Sequence, residues 1–255
     1  MRFEYSKPET LSRTQIDRMF DLMQQYYDEV PREIFERDLR EKTDVILLKS
    51  RDGVIQGFST VLKFRRPMGG RNVSGFYSGD TVLNKDYWGS RILPKAFSFY
   101  VLKTIVRSPF ESHYWFLMSK GYKTYLLMTN NTLEFYPRVG REIPSNVKAL
   151  RDSFYGEKFG ADYDPERGVV VPKANRTRLK DKVADIEPRY LKNRHIRFFS
   201  DANPSWKDGT ELACIARLNL GMLALLGITL ACRQFRLVWR RGLSAGARSP
   251  RPAAD

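Results

Sequence analysis

The chain has 255 residues, 42% of them hydrophobic, and 44 Lys and Arg against 29 Asp and Glu, a formal net charge of +15. The apolar content is enough for a core and excludes a wholly disordered chain, while the length suits one large domain or a domain with an extension. Two cysteines and two histidines exclude a disulfide framework, a multi-Cys zinc pattern and a multi-His centre, so no metal is expected.

The opening Met1-Arg2-Phe3-Glu4-Tyr5-Ser6-Lys7 has no apolar stretch of the secretory kind, which sets the expectation of a cytoplasmic location. Ser12-Arg13-Thr14-Gln15 forms a capping box, and Ile16, Met19, Phe20, Met23 and Tyr27 follow on one helical stripe. A second short helix follows Pro31, with Ile34, Phe35 and Leu39 inward. Residues 44–49 predict a strand, Arg51-Asp52-Gly53 a turn, and 54–62 the return strand of a hairpin. Pro67-Met68-Gly69-Gly70 breaks the chain before a strand over 73–83. A polar loop spans 84–90, and a helix is predicted over 91–107. Pro94 is tolerated there, because N–H groups in the first turn have no intrahelical acceptor.

Ser108-Pro109 ends that helix, and 113–119 is a buried strand. Tyr125, Leu126, Leu133 and Tyr136 fit one helical face over 122–136, although 124–129 also fits a strand; helix is the expectation. Val147, Leu150 and Phe154 predict a helix ended by Gly156 or Gly160. Residues 169–171 follow as a short strand, 178–189 as a basic helix and 210–218 as a last strand. The run 218–232 carries no charge and is followed by Arg233, Arg236, Arg240 and Arg241. As a helix it would span only about 22 Å, short of a bilayer core. It therefore packs on the domain or lies in an anionic membrane surface. The tail from Ser244 is rich in Ala, Arg and Pro.

The charge is concentrated late in the chain. Residues 173–197 hold nine basic and three acidic side chains, and 233–255 hold six Arg and one Asp. Such surfaces favour phosphates, acidic proteins or anionic lipid. Nucleic acid is disfavoured as a partner, because no helix-turn-helix, zinc finger or aromatic RNA-binding signature accompanies the charge.

The stretch from Val73 to Arg107 is strand, glycine-bearing loop, then helix start. This order presents free backbone N–H groups to an anion. In Tyr87-Trp88-Gly89-Ser90-Arg91, Gly89 would let a phosphate approach the backbone and Arg91 would add charge. Gly79-Asp80-Thr81-Val82-Leu83 before this loop, and the later Asn130-Asn131-Thr132-Leu133-Glu134-Phe135-Tyr136-Pro137-Arg138, resemble the GNAT acyltransferase superfamily over about residues 1–142. One branch of that superfamily is the long-chain N-acyl amino acid synthases. The loop departs from the family pattern, with Asp86, Gly89 and Arg91 at its key places and only the middle glycine matching.

The resemblance implies a mixed, splayed α/β sheet flanked by helices. It also implies acyl transfer from acyl-CoA or an acyl-phosphopantetheine carrier protein to a primary amine. Val82, Leu83, Tyr87, Trp88, Gly89, Ser90 and Arg91 would hold the donor, and Tyr136 would protonate the departing thiolate. Asp80 is the candidate base, with a turn-capping role as its competitor, and His113 is the second candidate. The expected organisation is an acyltransferase core over 1–142, a basic α/β extension over 143–217, the apolar run with its Arg flank over 218–241, and a tail over 242–255. The competing functional reading is a catalytically inactive fold of this kind, binding a partner or a membrane. The expected setting is cytoplasmic, with peripheral membrane attachment as its variant.

Overall fold

A computed structural model of the chain describes residues 1–68, 70–173, 178–180, 183 and 185–219. Residues Met1–Leu218 form one compact unit. The strands are β1 (Arg2–Ser6), β2 (Tyr27–Asp28), β3 (Asp44–Lys49), β4 (Ile55–Met68), β5 (Arg71–Leu83) and β6 (Ser112–Ser119). They continue with β7 (Glu134–Tyr136), β8 (Tyr163–Asp164), β9 (Val169–Val170), β10 (Arg178–Leu179) and β11 (Glu211–Leu218). The helices are α1 (Arg13–Tyr26), α2 (Arg32–Arg40), α3 (Ile92–Arg107), α4 (Tyr122–Thr129), α5 (Ser145–Phe159) and α6 (Arg194–Ala202).

An open mixed sheet in the order β1-β3-β4-β5-β6-β11-β9-β8 organises the unit, with β7 also on β11. Helices flank it, as the resemblance implies. Along β3 the side chains alternate between faces. Val45 and Leu47 join α1 and α2 in one core, with Met19, Leu22, Phe35 and Leu39. Asp44 faces the other way, where its carboxylate accepts from the Tyr100 hydroxyl of α3. A second core lies under α5, where Val147, Leu150, Phe154 and Tyr155 meet Tyr77, Phe116 and Ile215.

Several expectations hold. Ser12 caps α1 through the full capping box with Gln15. The helix after Pro31 forms, and α5 ends at Gly160, whose φ of 53° only glycine adopts readily. Others are corrected. The hairpin of β4 and β5 does not break at Pro67, which pairs with Asn72. β3 stops opposite Val61, so beyond it β4 has a neighbour on one side only and can accommodate proline. The helix expected over 122–136 stops at Thr129, and 134–136 form a strand because β11 offers them a partner. The described part of 178–189 holds no α-helix; Arg178–Leu179 pair instead with β2. Further elements are unexpected, among them the edge strand β1, the short strands β2 and β8, and helix α6. The apolar run after Leu218, its Arg flank and the tail lie outside the described residues, apart from Asn219. Among the described residues no helix is long and apolar enough to cross a membrane.

Candidate functional site

β5 and β6 run parallel and pair from Val73↔Ser112 to Ser78↔Leu117. β5 then continues to Leu83 and β6 to Ser119 with no register between them. The strands part, and residues 79–83 have no ladder partner on that edge.

The same stretch carries a β-bulge. Ser59 pairs with Thr81 and Val61 with Ser78, so Gly79 and Asp80 stand opposite the single residue Thr60. In a regular strand Tyr77 and Val82 would face opposite ways. Here both lie on the face covered by α1, α2 and α5, because the extra residue reverses the alternation. Asp80, two residues before Val82, is turned to that face as well. Glu211 comes to it from β11, two residues before Ala213 of the α5 core.

The result is a cavity of about 160 Å³ in which Asp38, Tyr27, Tyr77, Asp80, Lys120 and Glu211 meet apolar side chains such as Met23, Ile34 and Phe35. Lys120 Nζ lies 3.3 Å from Glu211 Oε1, and the buried Lys42 ammonium pairs with Asp38. Asp80 makes no hydrogen bond or ion pair with a described residue. Burial, and the nearby charge of Asp38, push its carboxyl up to about 6, against the opposing pull of Lys42 and Lys120. Burial likewise raises Glu211, which Lys120 partly offsets. The Tyr27 phenol is raised by burial and by the negative charge of Asp80 and Glu211, so it stays protonated at neutral pH. No cluster of His, Cys, Asp and Glu suited to a metal ion occurs among the described residues.

A second pocket, of about 450 Å³, adjoins the first. Tyr27, Thr81, Thr124 and Leu179 line both. Its walls are Val82 and Leu83 of β5, the loop residues Trp88, Gly89 and Ser90, and Leu93, Leu126 and Leu127 from α3 and α4. Gly89 has a φ of 77°, and the space beside its Cα is open. The Trp88 indole donates to the Leu83 carbonyl at 2.7 Å and lies under the Lys123 ammonium, 4.1 Å from the ring centroid. Arg91 sits at the N-terminus of α3, where the first backbone N–H groups have no intrahelical acceptor.

The expected site residues separate into two groups. Asp80, Val82, Leu83, Trp88, Gly89 and Ser90 come together around the two cavities. Tyr87 and Arg91 flank the loop without lining either pocket. His113 is buried on β6, with Nε2 2.9 Å from the Ser108 carbonyl, and Tyr136 packs in the α5 core; neither lines either cavity. Sequence reasoning missed Tyr27, Asp38, Lys120 and Glu211. Only Tyr27 carried a usable signal, as the last residue of the α1 stripe. The other three reach the cavity through sheet order and helix packing.

The cleft thus joins an unpaired stretch of β5, an apolar pocket and the start of α3 behind a glycine-bearing loop.

No family model and no curated protein matches the chain. Among solved structures it is similar to a probable N-acyltransferase from Enterococcus faecalis, with 14% identity, 53% of this chain and 33% of that chain covered, and a TM-score of 0.39. It is also similar to a GCN5-related N-acetyltransferase from Anabaena variabilis, with 17% identity, 52% and 32% of the two chains covered, and a TM-score of 0.37. A third is a Trypanosoma brucei acetyltransferase, with 17% identity, 56% and 97% covered, and a TM-score of 0.36. The match spans about a third of the length of the first of these proteins. Likenesses this distant carry no weight for function, which rests on the cleft.

Proposed function

We propose that the chain is an N-acyltransferase that moves an acyl group from a pantetheine thioester to a primary amine. The observation that carries this reading is the bulged, splayed end of β5, which joins an acidic cavity to an apolar pocket beside a glycine loop. The acidic cavity attracts the acceptor as its ammonium form. Asp80, ionised above about pH 6, takes the proton that the amine must lose to become a nucleophile. Nitrogen then attacks the thioester carbonyl, and N–H groups on the free edge of β5 meet the developing oxyanion. As the C–S bond breaks, Tyr27, lining both pockets, donates a hydrogen bond to the leaving sulfur. Lys120, 3.3 Å from Glu211, offsets part of the burial that raises the Glu211 carboxyl beside the acceptor.

The test is release of free thiol by the full-length chain from acyl-CoA substrates of graded chain length, across a panel of primary amines. Amine-dependent release that falls when Asp80 is replaced by Asn supports the reading. If acyl-CoA binds and no amine provokes release, the fold is a binding module and the enzymatic reading is overturned.

A further inference from the structure

Helix α3 is apolar on the side it buries and also on part of the side it exposes. Leu93, Ala96, Tyr100, Val101 and Ile105 face the sheet. On the outward face, Phe99 is 50% and Val106 65% exposed, and Phe110, three residues beyond the helix, is 99% exposed. A helix apolar on so much of its circumference is normally covered on both sides. The charged residues of α3 are Lys95, Lys103 and Arg107, with no acid among its sixteen residues. All three are exposed on or beside the same face.

At the C-terminal end of this face lies a groove of about 550 Å³, lined by Lys63, Arg65, Arg107, Ser74, Thr104 and Ser108 among others. Lys63 is held by Asp44 at 3.0 Å and Arg65 by Glu111 at 2.8 Å. Arg107 makes no ion pair with a described residue. The groove therefore has surplus positive charge and hydroxyl groups, and its lining residue Ser108 stands two positions before Phe110.

We infer that the outward face of α3 docks on an anionic lipid bilayer, with Phe99, Val106 and Phe110 entering the headgroup boundary and the groove at Arg107 receiving a lipid phosphate. The two halves of the surface have different chemistry and suit the two layers of one partner. Exposed aromatic and aliphatic side chains gain by leaving water for the acyl boundary, and cations without nearby acids gain at the phosphate plane. A soluble acidic protein would complement the charge but leave the fully exposed Phe110 without a matching layer. This surface is separate from the catalytic reading: Phe99, Val106 and Phe110 line neither cavity of the cleft.

The experiment is co-sedimentation of the full-length chain with vesicles of phosphatidylcholine alone and with added phosphatidylglycerol. Two variants are compared, Phe99→Ser/Val106→Ser/Phe110→Ser and Lys95→Glu/Lys103→Glu/Arg107→Glu, with thermal unfolding followed by circular dichroism. Binding to anionic vesicles alone is expected, falling at least tenfold in each variant with the unfolding transition kept. A parent chain that ignores anionic vesicles overturns the proposal, as do variants that bind as well as the parent, which would place attachment elsewhere in the chain. Loss of salt-sensitive retention on polyglutamate in the charge variant, with no vesicle binding by the parent, would assign the face to an acidic protein instead. If a variant fails to fold, the single changes Phe110→Ser and Arg107→Glu, both at exposed positions, give the same readout.

Discussion

Asp80 is a carboxylate placed where its charge is costly. Its pKa is raised from the ordinary value of 3.8 to about 6, chiefly by burial. An acid raised in this way holds its proton more tightly in the folded chain. Its contribution therefore favours folding at acid pH and is lost as pH climbs from about 4 to 6. Asp80→Asn should accordingly stabilise the chain at pH 7, by about 1–3 kcal/mol, and hardly at all at pH 4; denaturant titration at both pH values measures this. The same change should lower the rate of acyl transfer by about 10²–10⁴-fold if Asp80 accepts the amine proton. In the parent the rate should rise with pH through about 6, and in the variant that inflection should vanish, as a pH profile of thiol release would show. A side chain that merely capped a turn would give the opposite stability result and no such inflection.

At the scale of the element, the proposed function depends on two irregularities, a bulge and a glycine. The bulge at Gly79–Asp80 carries one extra residue, and that residue decides which face Asp80 joins. Gly89 holds the loop open with a positive φ, so Gly89→Val adds backbone strain of about 1–2 kcal/mol beside the donor pocket. Calorimetric titration should show acyl-thioester binding weakened or lost while the main unfolding transition persists. Gly75 shows a different constraint. A methyl group there would overlap the ring of Phe64, which stacks on Phe154 with centroids 4.6 Å apart. Gly75→Ala should therefore destabilise the chain by about 1–3 kcal/mol through overpacking. The loss would appear as a lower urea midpoint, without a direct effect on the cleft.

For the molecule as a whole, the last described strand is the keystone. β11 pairs with β6, β7 and β9, and brings Glu211 to the acidic cavity. A chain ended after residue 209 should lose cooperative unfolding altogether, because the edge of β6 and one wall of the α5 core would be exposed together. Differential scanning calorimetry of the truncated chain checks this; a retained transition would show that β11 is an accessory. Glu211 of β11 also lines the cavity that Asp80 of β5 lines, so this cavity draws residues from both sides of position 142.

Much of the fold was legible wherever local physics decides structure. The capping box at Ser12 and the stripe after it gave α1, alternating apolar runs gave β3 to β6, and Gly160 closed α5. The connection from Trp88 to Ser90 was readable as a glycine-bearing loop between a strand and a helix. Residues 134–136 and 178–179 were misread as helical because short strands take their shape from the neighbour that pairs with them, and that neighbour is distant in the chain. The same reason governs the site. Asp80 could be named from its place before the loop, but Tyr27, Asp38, Lys120 and Glu211 lie up to 184 positions apart, from Tyr27 to Glu211, and share no local pattern. Local sequence determined the glycine-bearing loop and most of the elements around it. Only the tertiary structure, through sheet order and the reversal of alternation at one bulge, decided which charges meet beside Asp80 and so what its carboxyl can do.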